Sequence, residues 1–239
     1  MSEKTIFFDA YGTLLELGNY HRDLSALMLK ETKFDLDLDS FHLAWNEEFD
    51  RAIFGIIEGN KPFATIRAIY GTSLKNAFLR HSVHLKDEQV NELNIICREF
   101  LDQRCSILPS ASKIIGKLKE DGANVGLVSN GDDEEVLYHL GDLVELFDSV
   151  ITSENVGLYK PDPQIFKVAL DALGADASKS LHVGDNLRID VEGSNRAGVG
   201  SIWYNRRNKH LLDGIQPMFT ISDMEEVLEI FNLMFPKHR

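Results

Sequence analysis

Residues 4–14 read KTIFFDAYGTL, Lys4 through Leu14, and this stretch decides the fold. A short apolar run that stops at a carboxylate and a Gly-Thr turn predicts a strand buried on both faces, as in a parallel sheet. Sites in open parallel sheets form at the carboxyl ends of the strands. A carboxylate at such an end presents its oxygen to a substrate while the backbone N–H groups of the turn face the same space. Asp9 is therefore read as a candidate nucleophile. Its alternative role as a plain turn former is the weaker reading, because it directly follows an apolar strand.

Working outward, the pattern turns helical from about residue 16 to about residue 101. Residues 20–32 and 40–57 read as helices. Pro62 after Asn60 and Lys61 marks a helix start, with Phe63, Ile66, Ile69, Tyr70 and Leu74 on one face. Asp87 can cap a further helix whose face is Val90, Leu93, Ile96, Cys97, Phe100 and Leu101. Trp45, Phe49 and Phe54 are read as core residues of this block.

From Pro109 helices and strands alternate. Helix 110–121 ends at Asp121-Gly122, and strand 124–129 (NVGLVS) follows, then a turn and a helix opening with Asp132, Asp133, Glu134 and Glu135. Apolar runs recur at 147–152, 180–183 and 199–203, with helices expected at 162–173, 186–197 and 222–234. This alternation predicts an α/β fold, a doubly wound parallel sheet, with the α-helical block inserted after its first strand. The expected division is a core of residues 1–15 and 102–239 and an insert of residues 16–101.

Three more segments that could carry chemistry each follow a predicted strand. Ser129, Asn130 and Gly131 offer a hydroxyl and backbone amides to an anionic oxygen, although Ser-Asn-Gly is also ordinary turn chemistry. Lys160 precedes a helix start at Pro161-Asp162-Pro163 and can neutralise charge on a nucleophile and a transferring group. Asp185, after Gly184, and Asp190 form a carboxylate pair of the hard-oxygen type that suits Mg2+. That Asp190 only caps or pairs on a helix face is the weaker reading.

Asp-x-x-Gly-Thr, Ser-Asn-Gly, Lys-Pro-Asp-Pro and Gly-Asp-Asn-x-x-x-x-Asp, in that order, resemble the four motifs of the haloacid dehalogenase (HAD) superfamily, and the insert resembles its helical cap. The resemblance implies a Rossmann-like hydrolase core. It further implies that Asp9 forms a covalent aspartyl intermediate, that Thr13 supports the nucleophile loop, and that Ser129 binds the transferring group. Asn130, Gly131 and Tyr11 would line the substrate site, and Lys160 would steady its charge. By the same resemblance Asp185, Asp9 and the backbone carbonyl of Tyr11 would ligate Mg2+, with Asp190 in or beside that shell.

The phosphatase version of the first motif carries a second aspartate two residues after the nucleophile, which protonates the leaving oxygen. Here that position is Tyr11, so the first motif looks like that of the L-2-haloacid dehalogenases, whose departing halide needs no proton. Those enzymes lack the metal-binding Gly-Asp that this chain keeps at Gly184-Asp185. They also carry an early cap arginine, for which only Arg22 and Arg51 are loose candidates. A carboxylate pair near an anion site is costly without a cation. The leading expectation is therefore a Mg2+-dependent phosphatase acting on a small phosphorylated metabolite. The alternatives are a metal-free 2-haloacid dehalogenase and a non-catalytic binding protein on the same fold.

The chain has 239 residues and a formal net charge of -13, with 44% hydrophobic and 26% charged residues. That balance is ordinary for a globular protein and argues against nucleic acid or an anionic membrane as a partner. The first apolar run is too short for a signal peptide, and no stretch reaches bilayer-spanning length. The two cysteines, Cys97 and Cys105, lack metal-ligand spacing, which together with these features predicts reduced thiols and a cytoplasmic setting. Nothing in the sequence marks an oligomeric interface.

Overall fold

The computed structural model describes residues 4–236. The chain separates into two compact units, one comprising the segments up to Glu16 and from Ser106 onward, the other Leu17–Cys105.

The first unit is built on a six-stranded parallel sheet. Its elements in chain order are β1 (Thr5–Phe8), β2 (Leu15–Glu16), β3 (Ser106–Ile107), helix α5 (Ala111–Glu120), β4 (Asn124–Ser129), α6 (Asp133–Leu140), β5 (Ser149–Thr152), the short α7 (Ser153–Val156), α8 (Pro163–Leu173), β6 (Ser180–Gly184), α9 (Gly193–Arg196), β7 (Gly200–Tyr204), β8 (Phe219–Ile221) and α10 (Glu226–Met234). The sheet order is β5-β4-β1-β6-β7-β8, every pair parallel. Counting only these strands in chain order gives 3-2-1-4-5-6, the doubly wound dinucleotide-fold order, whose topological switch point lies between β1 and β6.

The central strands are apolar on both faces, which is why they read as unbroken runs. Phe7, Val128 and Ile151 pack with Ile165, Phe166, Ala169 and Leu170 of α8. Gly126 stands in register with Phe7, and a Cβ there would fall 2.6 Å from the Phe7 ring, so the glycine makes room for it. Helix α5 buries Ala111, Ile114, Ile115 and Leu118, one stripe at helical spacing.

The second unit contains α1 (Tyr20–Thr32), α2 (Leu38–Ile57), α3 (Ile66–Arg80) and α4 (Asp87–Arg104). Its core gathers Tyr20, Leu24, Met28, Phe41, Trp45, Leu74, Phe78 and Cys97. The rings of Phe41 and Phe78 meet at a tilt with centroids 4.6 Å apart, and the Phe49 ring lies 5.0 Å from that of Tyr70. Burial pushes the thiols of Cys97 and Cys105 up to about 12, so both are inert neutral groups.

Three local expectations are corrected. Helix α3 starts at Ile66 rather than Pro62, because the Thr65 hydroxyl accepts from Ala68 N at 3.3 Å and caps the helix there. The N-cap of α4 is Lys86, with Asp87 inside the first turn, and the Gln89 side chain accepts from Lys86 N at 3.0 Å. The expected helix 186–197 is split into a π-helical turn, Leu187–Glu192, followed by α9. Among the described residues no helix is long and apolar enough to cross a membrane.

Candidate active site

Asp9 follows β1, where its N–H donates to Val183 O at 2.9 Å. The chain then wraps around one carbonyl: the N–H groups of Thr13, Leu14 and Leu15 all donate to Ala10 O, at 3.3, 2.9 and 2.8 Å. Gly12 sits in this turn at φ 92°. A Cβ added there would fall 2.8 Å from Asp185 Oδ1 and 2.9 Å from its Cγ, and the positive φ adds strain for any side chain. Glycine is thus what allows the Asp185 carboxylate, arriving from the end of β6, to pack against the nucleophile loop. The same device recurs at Gly184, where a Cβ would lie 2.2 Å from Asp190 Cγ.

Lys160 lies at the centre, fully buried. Its ammonium donates to Asp9 Oδ1, Asp190 Oδ1 and Val128 O, each at 2.7 Å, so all three protons are spent. Its backbone is clamped by Asn130, whose Oδ1 accepts from Lys160 N at 2.8 Å and whose Nδ2 donates to Lys160 O at 2.9 Å. The Asn130 side chain is therefore engaged with the lysine. Asp190 accepts from Lys160 and from His182 Nε2 (3.1 Å) with Oδ1 and from Asn186 N (3.0 Å) with Oδ2, so both oxygens already meet protein donors.

Asp9, Asp185 and Asp190 each offer an oxygen within 4.8 Å of the others. Burial and the neighbouring charges act on them differently. Burial pushes Asp9 up to about 7, against the pull of Lys160 and with the help of Asp190 and Asp185. Asp185 is likewise raised, by burial and then by the charge of Asp190. For Asp190 burial acts upward, but Lys160 and His182 outweigh it and hold the group well below the ordinary carboxylate range. Burial would depress Lys160, yet Asp190 and Asp9 reverse this and raise it. The outcome is an ionised Asp190–Lys160 pair, with Asp9 sharing the same ammonium and Asp185 reached by the half-exposed Lys209 at 3.3 Å, so that three carboxylates face two ammonium groups.

Two hydroxyls beside these groups remain unspent. Ser129 Oγ, at the end of β4, and Thr13 Oγ1 are buried and meet no hydrogen-bond partner among the described residues. Gly131 is as close-packed as Gly12, since a Cβ there would lie 2.5 Å from Val136 and 3.3 Å from the Tyr11 ring. The Tyr11 side chain therefore lies against the Ser129-Asn130-Gly131 turn. Its hydroxyl shares a 2.9 Å hydrogen bond with His139 Nδ1 of α6, the rings meeting edge to face. His139 was not apparent in the sequence, being 128 residues away from Tyr11 in the chain. Arg22 and Arg51, the arginine candidates, pair with Asp39 and Glu48 of their own helical unit.

With the fold and this constellation in place, comparison with known proteins is direct. The family model described as haloacid dehalogenase-like hydrolase matches residues 3–198. The chain belongs to this hydrolase family. Pyrimidine 5'-nucleotidase YjjG of Escherichia coli (strain K12) is 32% identical over 129 residues, 53% of this chain and 57% of that protein. (S)-2-haloacid dehalogenase 4A of Burkholderia cepacia is 25% identical over 242 aligned positions, 98% of this chain and 94% of that enzyme. The chain spans about half the length of the first curated relatives it matches. Among solved structures, the HAD-hydrolase YfnB of Bacillus subtilis, bound to magnesium, superposes with a TM-score of 0.74 at 22% identity, over 97% of this chain and 100% of that one. Other curated relatives are named phosphoserine phosphatase (Thermus thermophilus) and pyrophosphatase PpaX (Bacillus cereus), so phosphatase and dehalogenase names both occur among the proteins this chain resembles.

The buried lysine gives a stability prediction. Lys160→Met leaves Asp9 and Asp190 without their cation and is expected to cost about 3–5 kcal/mol in urea unfolding at neutral pH. A loss below about 1 kcal/mol would show that the carboxylates do not depend on the ammonium.

Proposed function

We propose that the protein is a Mg2+-dependent phosphatase acting on a small phosphorylated metabolite through an aspartyl-phosphate on Asp9. The observation that carries this reading is the packing of the Asp185 carboxylate against Gly12, beside Asp9, in a site with more buried carboxylate than cation. The donor set is all hard oxygen, which fits magnesium, with Asp9, Asp185 and the Tyr11 carbonyl as its ligands. Asp190 would act one step out, fixing Lys160, because its oxygens are already engaged. Bound there, magnesium would neutralise charge on the phosphoryl oxygens and favour ionised Asp9. The magnesium of the B. subtilis hydrolase is consistent with this assignment.

The residues themselves would share the work as follows. Lys160 holds Asp9 Oδ1, and no donor among the described residues meets Oδ2, which is the oxygen that would attack phosphorus. Ser129 Oγ and Thr13 Oγ1 supply the unspent donors for the phosphoryl oxygens and the nucleophile loop. Attack by Asp9 would break the bond from phosphorus to the leaving oxygen, which departs and takes its proton from solvent; water would then attack phosphorus and lose a proton, the P–O bond to Asp9 would break, and phosphate would leave. The helical unit Leu17–Cys105 is assigned as the cap domain.

A second reading, metal-free 2-haloacid dehalogenation through an aspartyl ester, is favoured by Tyr11, since halide departs without a proton. One pair of assays separates the two. Phosphate release from an aryl phosphate should vanish in EDTA, return with Mg2+, and fall at least about a thousandfold in Asp9→Asn, a barrier increase of about 4 kcal/mol. Halide release from 2-chloropropionate undiminished by EDTA would transfer the protein to the dehalogenase reading.

Tyr11 also shapes the choice of substrate. Without a carboxylic acid at this position, proton donation to a poor leaving group loses help typically worth about 10²–10⁴ in rate. Aryl phosphates, acyl phosphates and phosphoanhydrides should therefore turn over much faster than alkyl phosphates. Tyr11→Asp should raise alkyl relative to aryl turnover by about tenfold or more when chemistry limits the rate. A flat dependence on leaving-group pKa in the wild type would contradict this.

A further inference from the structure

Two lysines of the sheet unit are held by the same device, and only Lys160 has entered the chemistry so far. Asn205, just after β7, accepts from Lys209 N with Oδ1 at 2.8 Å and donates through Nδ2 to Lys209 O at 2.9 Å. This is the same two-bond backbone clamp that Asn130 applies to Lys160, with the same distances exchanged for the same atoms. Asn205 is itself pinned, its N–H donating to Ile221 O of β8 at 2.7 Å. The clamp fixes the root of a side chain whose ammonium reaches Asp185 Oδ2 at 3.3 Å. Asp185 in turn is anchored by Trp203 Nε1, which donates to its backbone oxygen at 3.0 Å.

The two lysines differ in access. Lys160 is sealed in, whereas the Lys209 side chain is 48% exposed and that of Asp185 is 30% exposed. The Asn205 clamp spans four residues and closes the loop after β7, which sets the root of Lys209 beside Asp185. A fixed root with a half-exposed tip describes a cation that can take up or give up one carboxylate while staying close to it. Resting on the magnesium reading above, we propose that Lys209 is the resident counter-ion of Asp185, neutralising it when no divalent cation is bound and competing with that cation for it. Binding magnesium would then require the ammonium to swing into solvent, which an unbranched, half-exposed side chain does at little cost. Lys209 would thus weaken magnesium affinity while keeping Asp185 from carrying an uncompensated charge in the metal-free protein.

The test is calorimetric titration of MgCl2 into the wild-type protein, Lys209→Met and Lys209→Arg, with no substrate present. Loss of the ammonium in Lys209→Met is expected to tighten magnesium binding by about three- to tenfold, as suits a partly exposed ion pair. Lys209→Arg, which keeps the charge, should stay within about twofold of wild type, and about 0.5 M KCl should narrow the gap between wild type and Lys209→Met. Equal or weaker binding by Lys209→Met overturns this inference alone. Absence of magnesium binding in all three proteins overturns the metal reading and this inference with it.

Discussion

Lys160 Nζ spends its three protons on Val128 O, Asp9 and Asp190, groups that belong to β4, to the loop after β1 and to the turn after β6. The ammonium is closed off from water, so each of these contacts acts in a low-dielectric setting and each partner depends on the other two. Removing the cation would strand two carboxylates. Removing Asp190 would leave the ammonium to Asp9 alone and draw down the very group that must attack. The balance explains why the site needs Asp190 although its oxygens are turned toward protein donors. It also explains why Asn130 holds the lysine's backbone: a bond angle set at the root decides where Nζ arrives.

Around that centre the site is crowded by design of its glycines. Gly12 admits Asp185, Gly184 admits Asp190, and Gly131 admits Val136 and the Tyr11 ring. Each is a place where one methyl group would push a functional side chain away. The crowding concentrates negative charge at the switch point between β1 and β6, and the pKa directions of Asp9 and Asp185 record it. Two lysines reach these carboxylates, one sealed in and one half exposed. That asymmetry is what the metal and counter-ion proposals interpret.

Much of this was legible in the sequence, for identifiable reasons. Doubly buried parallel strands read as unbroken apolar runs, so β1, β4, β5, β6 and β7 were visible, and carboxyl-end residues such as Asp9, Ser129 and Asp185 followed from them. The antiparallel pair β2–β3 has two residues per strand and no period to detect. Strand β8 is three residues long with an exposed Thr220 at its centre. The π-helical turn after β6 keeps a helical apolar pattern while its hydrogen bonds shift by one residue, a difference that composition does not encode. His139 and Lys209 were invisible for another reason: each matters through a partner brought to it only by the fold. Asn130 was read as a substrate contact from its place in the Ser-Asn-Gly motif, and its engagement with Lys160 spans 30 residues.

The central claim is that the reaction runs at phosphorus and that Asp9 keeps both of its own carboxylate oxygens through a turnover. It is tested most directly by a single turnover in H2(18)O with enzyme in excess over an aryl phosphate, followed by mass analysis of the peptide containing Asp9 and of the released phosphate. The account predicts one heavy oxygen in the phosphate and none in Asp9, because the P–O bond breaks and the carboxylate keeps its own oxygens. Heavy oxygen in Asp9 after a turnover with 2-chloropropionate, with no turnover of the phosphate ester, would show water attacking the carboxyl carbon of an ester and would contradict the phosphatase account.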